Sequence, residues 1–270
     1  MARAKATAAM MPVPLPPDVR LMQSAAQALA VLAGIAIGAA LVMWIVRLPV
    51  FALRSISVEG EVARNSASTI RANAAPKLAG NFFTMDLQRA RAAFEAVPWV
   101  RHAVVRRIWP NRLAVTLEEH RAAALWSADD GNHKLVNNHG EVFEANLGDV
   151  EDDALPRFAG PEGSAPQMLA LYRRLQPALQ PLDEGDVERL ALSGRGSWRA
   201  ELDSGAAIEL GRGSDDEVLA RAERFVRTLR QVTDHYQRPL QYADLRHPDG
   251  YAVRLKGVTT VLPKEPARKR

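Results

Sequence analysis

The sequence predicts an α+β protein with one N-terminal transmembrane helix, a small domain of order β-α-α-β-β, and a β-rich domain with an antiparallel sheet and flanking helices. Three observations indicate this fold. An apolar run without charged residues lies near the N-terminus. The segment after it contains apolar residues at strand spacing and then at helix spacing. Short runs in which apolar and polar residues alternate come next, separated by turn residues.

The apolar run extends from Leu21 to Val46, and its core, residues 28–46, is interrupted only by two glycines. As a helix this core spans about 28 Å, close to the thickness of a bilayer's hydrocarbon region. The run is longer than the apolar part of a signal peptide, and no small-x-small cleavage site follows it closely. We therefore expect a retained transmembrane helix over 28–46, preceded by a proline-rich tail over 1–27 that is extended or disordered.

The next segment begins with a short strand, in which Ile56 and Val58 alternate with serines. Two helices follow. A polar residue within 65–68 is expected to cap the first, Asp86 to cap the second, and Pro98 to end it. The apolar faces of the two helices consist of Ile70, Ala74 and Leu78 in the first and of Leu87, Ala90, Phe94 and Val97 in the second.

Two alternating runs around a turn at 110–112 then predict a hairpin, so that two helices cover a three-stranded sheet. In the run 100–109, one side is expected to carry Val100, Val104 and Ile108, and the other Ala103, Val105 and Trp109. In the run 113–118, one side carries Leu113, Val115 and Leu117.

The region 121–257 consists mainly of short predicted strands. Turn residues at 129–131 and 138–140 separate the first of them, Ser164 is expected to cap a helix, and Pro248-Asp249-Gly250 lies between the last two runs. The predicted strands are 124–126, 135–136, 141–144, 156–158, 198–202, 207–210, 240–246 and 251–256, and a long helix is expected over 216–236.

Composition excludes some classes of protein. The net charge is +4, but the basic residues are scattered and the segment 129–153 is acidic, so there is no basic stripe with aromatic residues to bind nucleic acid. The chain has no cysteine, which excludes disulfides and cysteine-ligated metals. The basic C-terminal residues 258–270 are expected to form a disordered tail.

The sequence shows no active-site motif, and we expect no catalytic residue, no metal and no cofactor. Gly211-Arg212-Gly213-Ser214 precedes a predicted helix, but it has no P-loop lysine and two aspartates follow it, so an ordinary turn and helix cap is favoured. The six histidines lack tight metal-ligand spacing, although His133 and His139 could meet across a hairpin. Glu118 and Glu119 are adjacent on a strand and point to opposite faces.

Several sequence segments resemble those of the FtsQ/DivIB family, whose members carry a POTRA domain after a membrane anchor. They are Phe51–Gly60, Pro98–Ala103 and Arg107–Leu113 in the first domain, and Leu210–Gly213 and Asp244–Arg246 in the second. The resemblance covers about residues 29–256. It implies a POTRA domain over 51–120 and an FtsQ-type β-rich domain over 121–257.

The last predicted strand, Tyr251–Lys256, has only a proline-containing tail after it and is expected near a sheet edge, where another chain can add a strand. In the FtsQ/DivIB family this region binds FtsB, itself paired with FtsL. By position, the resemblance therefore implies partner-binding residues Arg246, His247, Asp249, Gly250, Tyr251 and Leu255. Plain core packing of Tyr251 and Leu255 is the alternative interpretation.

The resemblance further implies a non-enzymatic scaffold of cell division that controls septal wall synthesis and meets other division proteins through its POTRA domain and transmembrane helix. It places the N-terminus in the cytoplasm and the C-terminal domain in the periplasm, anchored in the inner membrane at the septum. Charge bias does not decide this orientation, since three basic residues lie close to each side of the helix. Two alternatives stay open: a POTRA-bearing transport component and a membrane-anchored periplasmic hydrolase.

Overall fold

The computed structural model describes residues 17–60, 63–64, 66–78, 80–127, 133–247 and 249–258. It confirms the α+β class, with an apolar N-terminal helix, a three-stranded first sheet and a nine-stranded second sheet. The predicted turn at 129–131, the tail beyond Val258 and residues 1–16 lie outside the described residues.

The N-terminal helix, α1, extends from Pro17 to Val46 and is long and apolar enough to cross a membrane. The prediction of an extended or disordered tail was wrong for residues 17–27, which are helical. Pro17 occupies the first helical position, where no backbone N–H is needed, and Asp18 lies in the first turn, where a carboxylate complements the helix dipole.

The first domain consists of β1 (Ser55–Gly60), α2 (Ala67–Ala74), α3 (Leu87–Glu95), β2 (Val100–Ile108) and β3 (Arg112–Glu119). The sheet order is β1-β3-β2, with β1 parallel and β2 antiparallel to the central β3. Ser66 caps the first helix by accepting a hydrogen bond from the Thr69 N–H at 3.1 Å. Asp86 caps the second, as predicted, by accepting from the N–H groups of residues 88 and 89.

The predicted faces of β2 were partly wrong. Val100 and Ala103 are both buried, whereas Val104 and Ile108 are exposed. The cause is a bulge in the pairing with β3 between Val100 and His102, which shifts the side-chain alternation by one residue. A strict period of two cannot anticipate an inserted residue, so the sequence pattern assigned Val100 to the wrong side.

The second domain is built on one sheet of order β12-β11-β10-β9-β8-β7-β4-β5-β6. Its strands are β4 (Ala122–Ser127), β5 (His133–Asn137), β6 (Val142–Phe143), β7 (Arg157–Ala159), β8 (Val187–Leu192), β9 (Trp198–Leu202), β10 (Ala207–Gly211), β11 (Leu240–Asp244) and β12 (Ala252–Leu255). The sheet is mixed rather than purely antiparallel, because the pairs β4–β7, β7–β8 and β10–β11 are parallel. Strand β8 was not predicted.

Two helices, α4 (Ala165–Leu179) and α5 (Asp215–Tyr236), pack on one face of this sheet. Trp198, Phe158 and Phe225 are the largest fully buried side chains of the shared core. Ser164 occupies the N-cap position of α4, as predicted, but its side chain accepts no cap hydrogen bond, and its hydroxyl donates to the Pro161 carbonyl at 2.6 Å. On the opposite face of the sheet, Arg199 pairs with a glutamate on its own strand and with another on β10.

The two domains meet around Trp99, which is only 3% exposed. Its indole N–H donates to the Asp149 carboxylate at 2.8 Å, and the Arg64 guanidinium lies 4.8 Å from the centre of its ring. Arg64 also forms a 2.8 Å ion pair with Asp153 and donates to the Asp149 carbonyl. Trp99 therefore belongs to the first domain in sequence but packs in a cluster with Leu135 and other apolar residues of the second.

A second set of polar contacts spans the same junction. Arg101 on β2 pairs with Glu118 at 2.7 Å and with Glu141 of the second domain at 2.7 Å. Its hydrogen bonds to Glu141 lower the pKa of that carboxyl to about 2. The His120 ring stacks on Phe143 with centroids 4.1 Å apart. The junction thus combines an apolar core with ion pairs.

Candidate functional site

The described part of the structure places β12 at one end of the nine-stranded sheet, where it pairs only with β11. This confirms the predicted edge position. The Lys256 N–H donates to the Pro239 carbonyl at 3.0 Å, so this N–H faces the β11 side. Because backbone groups alternate along a strand, the N–H and C=O of Val253 point to the open side. The open side thus offers hydrogen-bonding groups to a further strand.

Tyr251 attaches the start of β12 to helix α5. Its hydroxyl donates to the Thr228 hydroxyl oxygen at 2.7 Å, and Thr228 in turn donates to the Arg224 carbonyl at 3.0 Å. The ring meets Phe225 edge-on, with centroids 5.0 Å apart. Tyr251 is half-buried by these contacts. Sequence patterning placed Phe225 in the core, but it gave no signal for the role of Thr228.

Leu255 belongs to the hydrophobic core, with only 5% of its surface exposed. It lies opposite the fully buried Leu240, and Val253 packs against the same core while half-buried. The side chain of Leu255 therefore has the packing role that was the alternative interpretation. What residue 255 offers at the open edge is its backbone N–H, on the same side as that of Val253.

Arg246 lies just after β11 and binds Asp244 closely. Its Nε and Nη2 donate to the two carboxylate oxygens at 2.8 and 2.6 Å, and its backbone N–H donates to one of them at 3.0 Å. These bonds lower the pKa of Asp244 to about 2. Gly211 adopts a φ of +81°, and a Cβ there would lie 3.1 Å from Arg246 Cγ. The exposed guanidinium is thus held in place at the end of the sheet.

The depressed pKa predicts an acid-dependent loss of stability. Asp244 is ionised in the folded chain down to about pH 2, whereas it protonates near its ordinary pKa when unfolded. Its stabilising contribution is therefore fully present above the unfolded pKa and is lost as the pH falls from about 4 towards about 2. We expect the difference in unfolding free energy between wild type and Asp244→Asn, measured by urea titration, to shrink between about pH 6 and about pH 3. A constant difference would contradict the pairing.

His247, Asp249 and Gly250 are exposed in the loop between β11 and β12, and Pro248 lies outside the described residues. Of these, His247 and Gly250 border, together with Arg221 and Tyr251, a depression of only about 20 Å³. That volume holds about one water molecule, so this end of the sheet suits a docked chain better than a small ligand. The structure places all six predicted residues on β12 or in the loop that leads to it from β11. The side chain of Leu255 is buried, that of Tyr251 is half-buried, and the other four residues are exposed.

The loop Gly211–Ser214 serves as a turn and helix cap, as predicted. The Ser214 N–H donates to the Glu217 carboxylate at 2.9 Å, and the Glu217 N–H donates to the Ser214 hydroxyl at 3.3 Å, which is a capping box. Arg221 then donates to the carbonyls of Leu210 and Arg212. Within the described residues, no group of three or more histidine and carboxylate side chains is placed to hold a metal ion.

Comparison with known proteins identifies the family. The cell division protein FtsQ of Burkholderia pseudomallei is 42% identical to this chain over 253 residues, which are 93% of this chain and 99% of that protein. This chain belongs to the FtsQ/DivIB family of cell division proteins. FtsQ proteins of Thiomonas arsenitoxydans and Bordetella pertussis are 38% and 40% identical over 92% and 88% of the chain, and the matches cover 91% and 92% of their lengths.

Two family descriptions divide the soluble part of this FtsQ/DivIB chain. The POTRA domain, FtsQ-type, matches residues 51–120, and Cell division protein FtsQ/DivIB, C-terminal, matches residues 124–246. The second match ends at Arg246, so β12 lies just beyond it. The N-terminal apolar helix agrees with a single-pass membrane protein of this family.

Proposed function

We propose that this chain is a non-enzymatic scaffold of the division machinery that binds FtsB, itself paired with FtsL, at the open edge of β12. The observation that supports this most directly is the edge itself, where Val253 directs its backbone N–H and C=O away from β11. An added strand would satisfy these groups and extend the nine-stranded sheet. Exposed Arg246 and His247 lie in the loop that leads into β12 and would offer side-chain contacts beside the strand.

The proposal includes the place of the protein in the cell. The helix α1 would anchor the chain in the inner membrane of a Gram-negative bacterium, with the N-terminus in the cytoplasm and the C-terminal domain in the periplasm, concentrated at the septum. The POTRA domain and the helix would contact other division proteins. Docked FtsB and FtsL would in turn control septal wall synthesis.

A matched pair of substitutions at Val253 tests strand addition. Val253→Pro removes an N–H on the open side and places a ring there, whereas the bonds from β12 to β11 are retained. Val253→Ala loses a comparable amount of side-chain packing and keeps the N–H. We expect wild type and Val253→Ala to bind with micromolar or tighter affinity, about −8 kcal/mol, and Val253→Pro to bind at least about tenfold more weakly.

The measurement is calorimetric titration of the full chain in lipid nanodiscs with a purified extracytoplasmic segment of FtsB–FtsL. If the proline and alanine variants bind with equal affinity, FtsB–FtsL is still the partner but its binding site is not the open edge of β12. Absence of binding by folded wild type would refute the scaffold proposal and favour the transport or hydrolase alternative. Thermal unfolding of both variants serves as the control for folding.

A further inference from the structure

Four aromatic side chains form an exposed cluster at one end of the first domain. They are Phe51, Phe82, Phe83 and Trp109, which we call the aromatic patch. Ring centroids of neighbouring members lie 4.9 to 5.6 Å apart, mostly in edge-to-face arrangements. Yet Phe83 is 46% exposed and Trp109 is 65% exposed. Large aromatic residues that are packed together and still face solvent indicate a surface that meets another apolar medium.

The aromatic patch lies directly beside the end of the transmembrane helix. Only four residues lie between Val46, the last residue of α1, and Phe51, so the patch begins within about 17 Å of the helix end along the chain. The Asn81 side-chain amide donates to the Val46 carbonyl at 2.6 Å. The Phe82 N–H donates to the Phe51 carbonyl at 2.9 Å. These bonds hold the aromatic rings next to the point where the helix ends.

All charged residues in the three segments that carry the aromatic patch are basic. The segments 47–54, 80–85 and 104–114 contain no aspartate or glutamate. Their arginines are exposed and comprise Arg47, Arg54, Arg106, Arg107 and Arg112. Aromatic rings together with arginines are the composition that favours the interface of a bilayer with anionic lipids, because the rings enter the headgroup boundary while the guanidinium groups bind phosphate.

We propose that the aromatic patch is seated in the headgroup region of the membrane leaflet next to Val46 and binds anionic phospholipid there. The first domain then has a fixed orientation on the membrane surface, which a flexible linker after the transmembrane helix would not give it. The second domain is joined at Trp99, at the other end of β2, roughly 30 Å from the patch. Seating the patch therefore holds the β12 edge at a defined height above the bilayer.

Spin labelling of the full chain tests this inference directly. The chain has no cysteine, so a single introduced cysteine carries the only label. We would place it by Phe83→Cys in the aromatic patch and, as a matched control, by Val142→Cys on β6, which is 40% exposed. Each variant is reconstituted as one copy per nanodisc of phosphatidylethanolamine and phosphatidylglycerol, and collision rates with a water-soluble nickel chelate and with oxygen are measured.

The expected result is a several-fold loss of nickel collisions relative to oxygen collisions at residue 83, with no such loss at residue 142. Trp109→Ser in the Phe83→Cys background should restore nickel access, and phosphatidylcholine discs should restore part of it. Equal nickel access at the two positions would overturn the proposal. Protection of residue 83 that requires two copies per disc would overturn it as well, because the occupant would then be a second chain.

Discussion

Replacing Leu255 by glutamate is expected to destabilise the β-rich domain, with partner binding lost as a consequence of unfolding. Leu255 is 5% exposed and lies opposite Leu240, which is fully buried. A carboxylate at this position would be desolvated among apolar side chains. We expect a loss on the order of 4 kcal/mol, a large share of the 5–15 kcal/mol that typically stabilises a domain.

Urea unfolding of the full chain in detergent micelles measures this loss through tryptophan fluorescence. Arg254→Glu is the matched control, since Arg254 is the exposed neighbour of Leu255 on the same strand. We expect the control to change the unfolding free energy by less than about 0.5 kcal/mol. If Leu255→Glu had an equally small effect, the side chain of Leu255 would not be in the core. It would then again be a candidate for direct contact with the partner at the open edge.

The alternation around Leu255 shows what the sequence could predict and what it could not. A period of two correctly placed Tyr251, Val253 and Leu255 on one side of the last strand. It could not say whether that side faces the core or a partner, because this depends on helix α5, whose Phe225 lies well before it in the chain. The six candidate positions were thus found by resemblance to the family. Only the structure shows which of them have a buried side chain, which have an exposed side chain and which direct backbone groups to the open edge.

Strand β8 illustrates a second limit. Its sequence, Val187–Leu192, does not alternate cleanly, and a bulge in its pairing with β9 lies between Val187 and Arg189. The neighbouring β7 has only three residues and pairs in parallel with β8. Periodicity is read over several residues of one strand, so an interrupted strand next to a very short one gives too little signal. The capped helices α3 and α5 had longer patterns and were predicted.

The junction at Trp99 is the other place where a single substitution is expected to have a large effect. Trp99 follows the end of α3, and its sequence neighbours indicate only a helix end. Its burial depends on Asp149, 50 residues later, which accepts the indole hydrogen bond. Leu135 and Val150 of the second domain complete the apolar surroundings. No local pattern contains this information, so the tryptophan was not recognised as an interdomain residue.

Trp99→Ala is expected to reduce the unfolding free energy by about 3–5 kcal/mol, the usual cost of emptying a buried tryptophan site. Three contributions are lost together: the apolar packing, the hydrogen bond to Asp149 and the contact with Arg64. Arg64 would keep its hydrogen bond to the backbone carbonyl of Asp149, so the junction should loosen instead of separating completely. Urea unfolding measures the loss, and limited proteolysis reports the exposure of residues between the domains.

The same change at Trp109 provides the matched control, because Trp109 is 65% exposed and lies at the opposite end of the same hairpin. Trp109→Ala should lower stability by only about 1 kcal/mol, the value of its aromatic contacts, and leave the proteolysis pattern unchanged. Trp99→Ala with a similarly small effect would mean that the two domains are held mainly by the ion pairs of Arg64 and Arg101. Such a junction would weaken with salt, whereas a junction built on buried apolar surface should depend little on ionic strength.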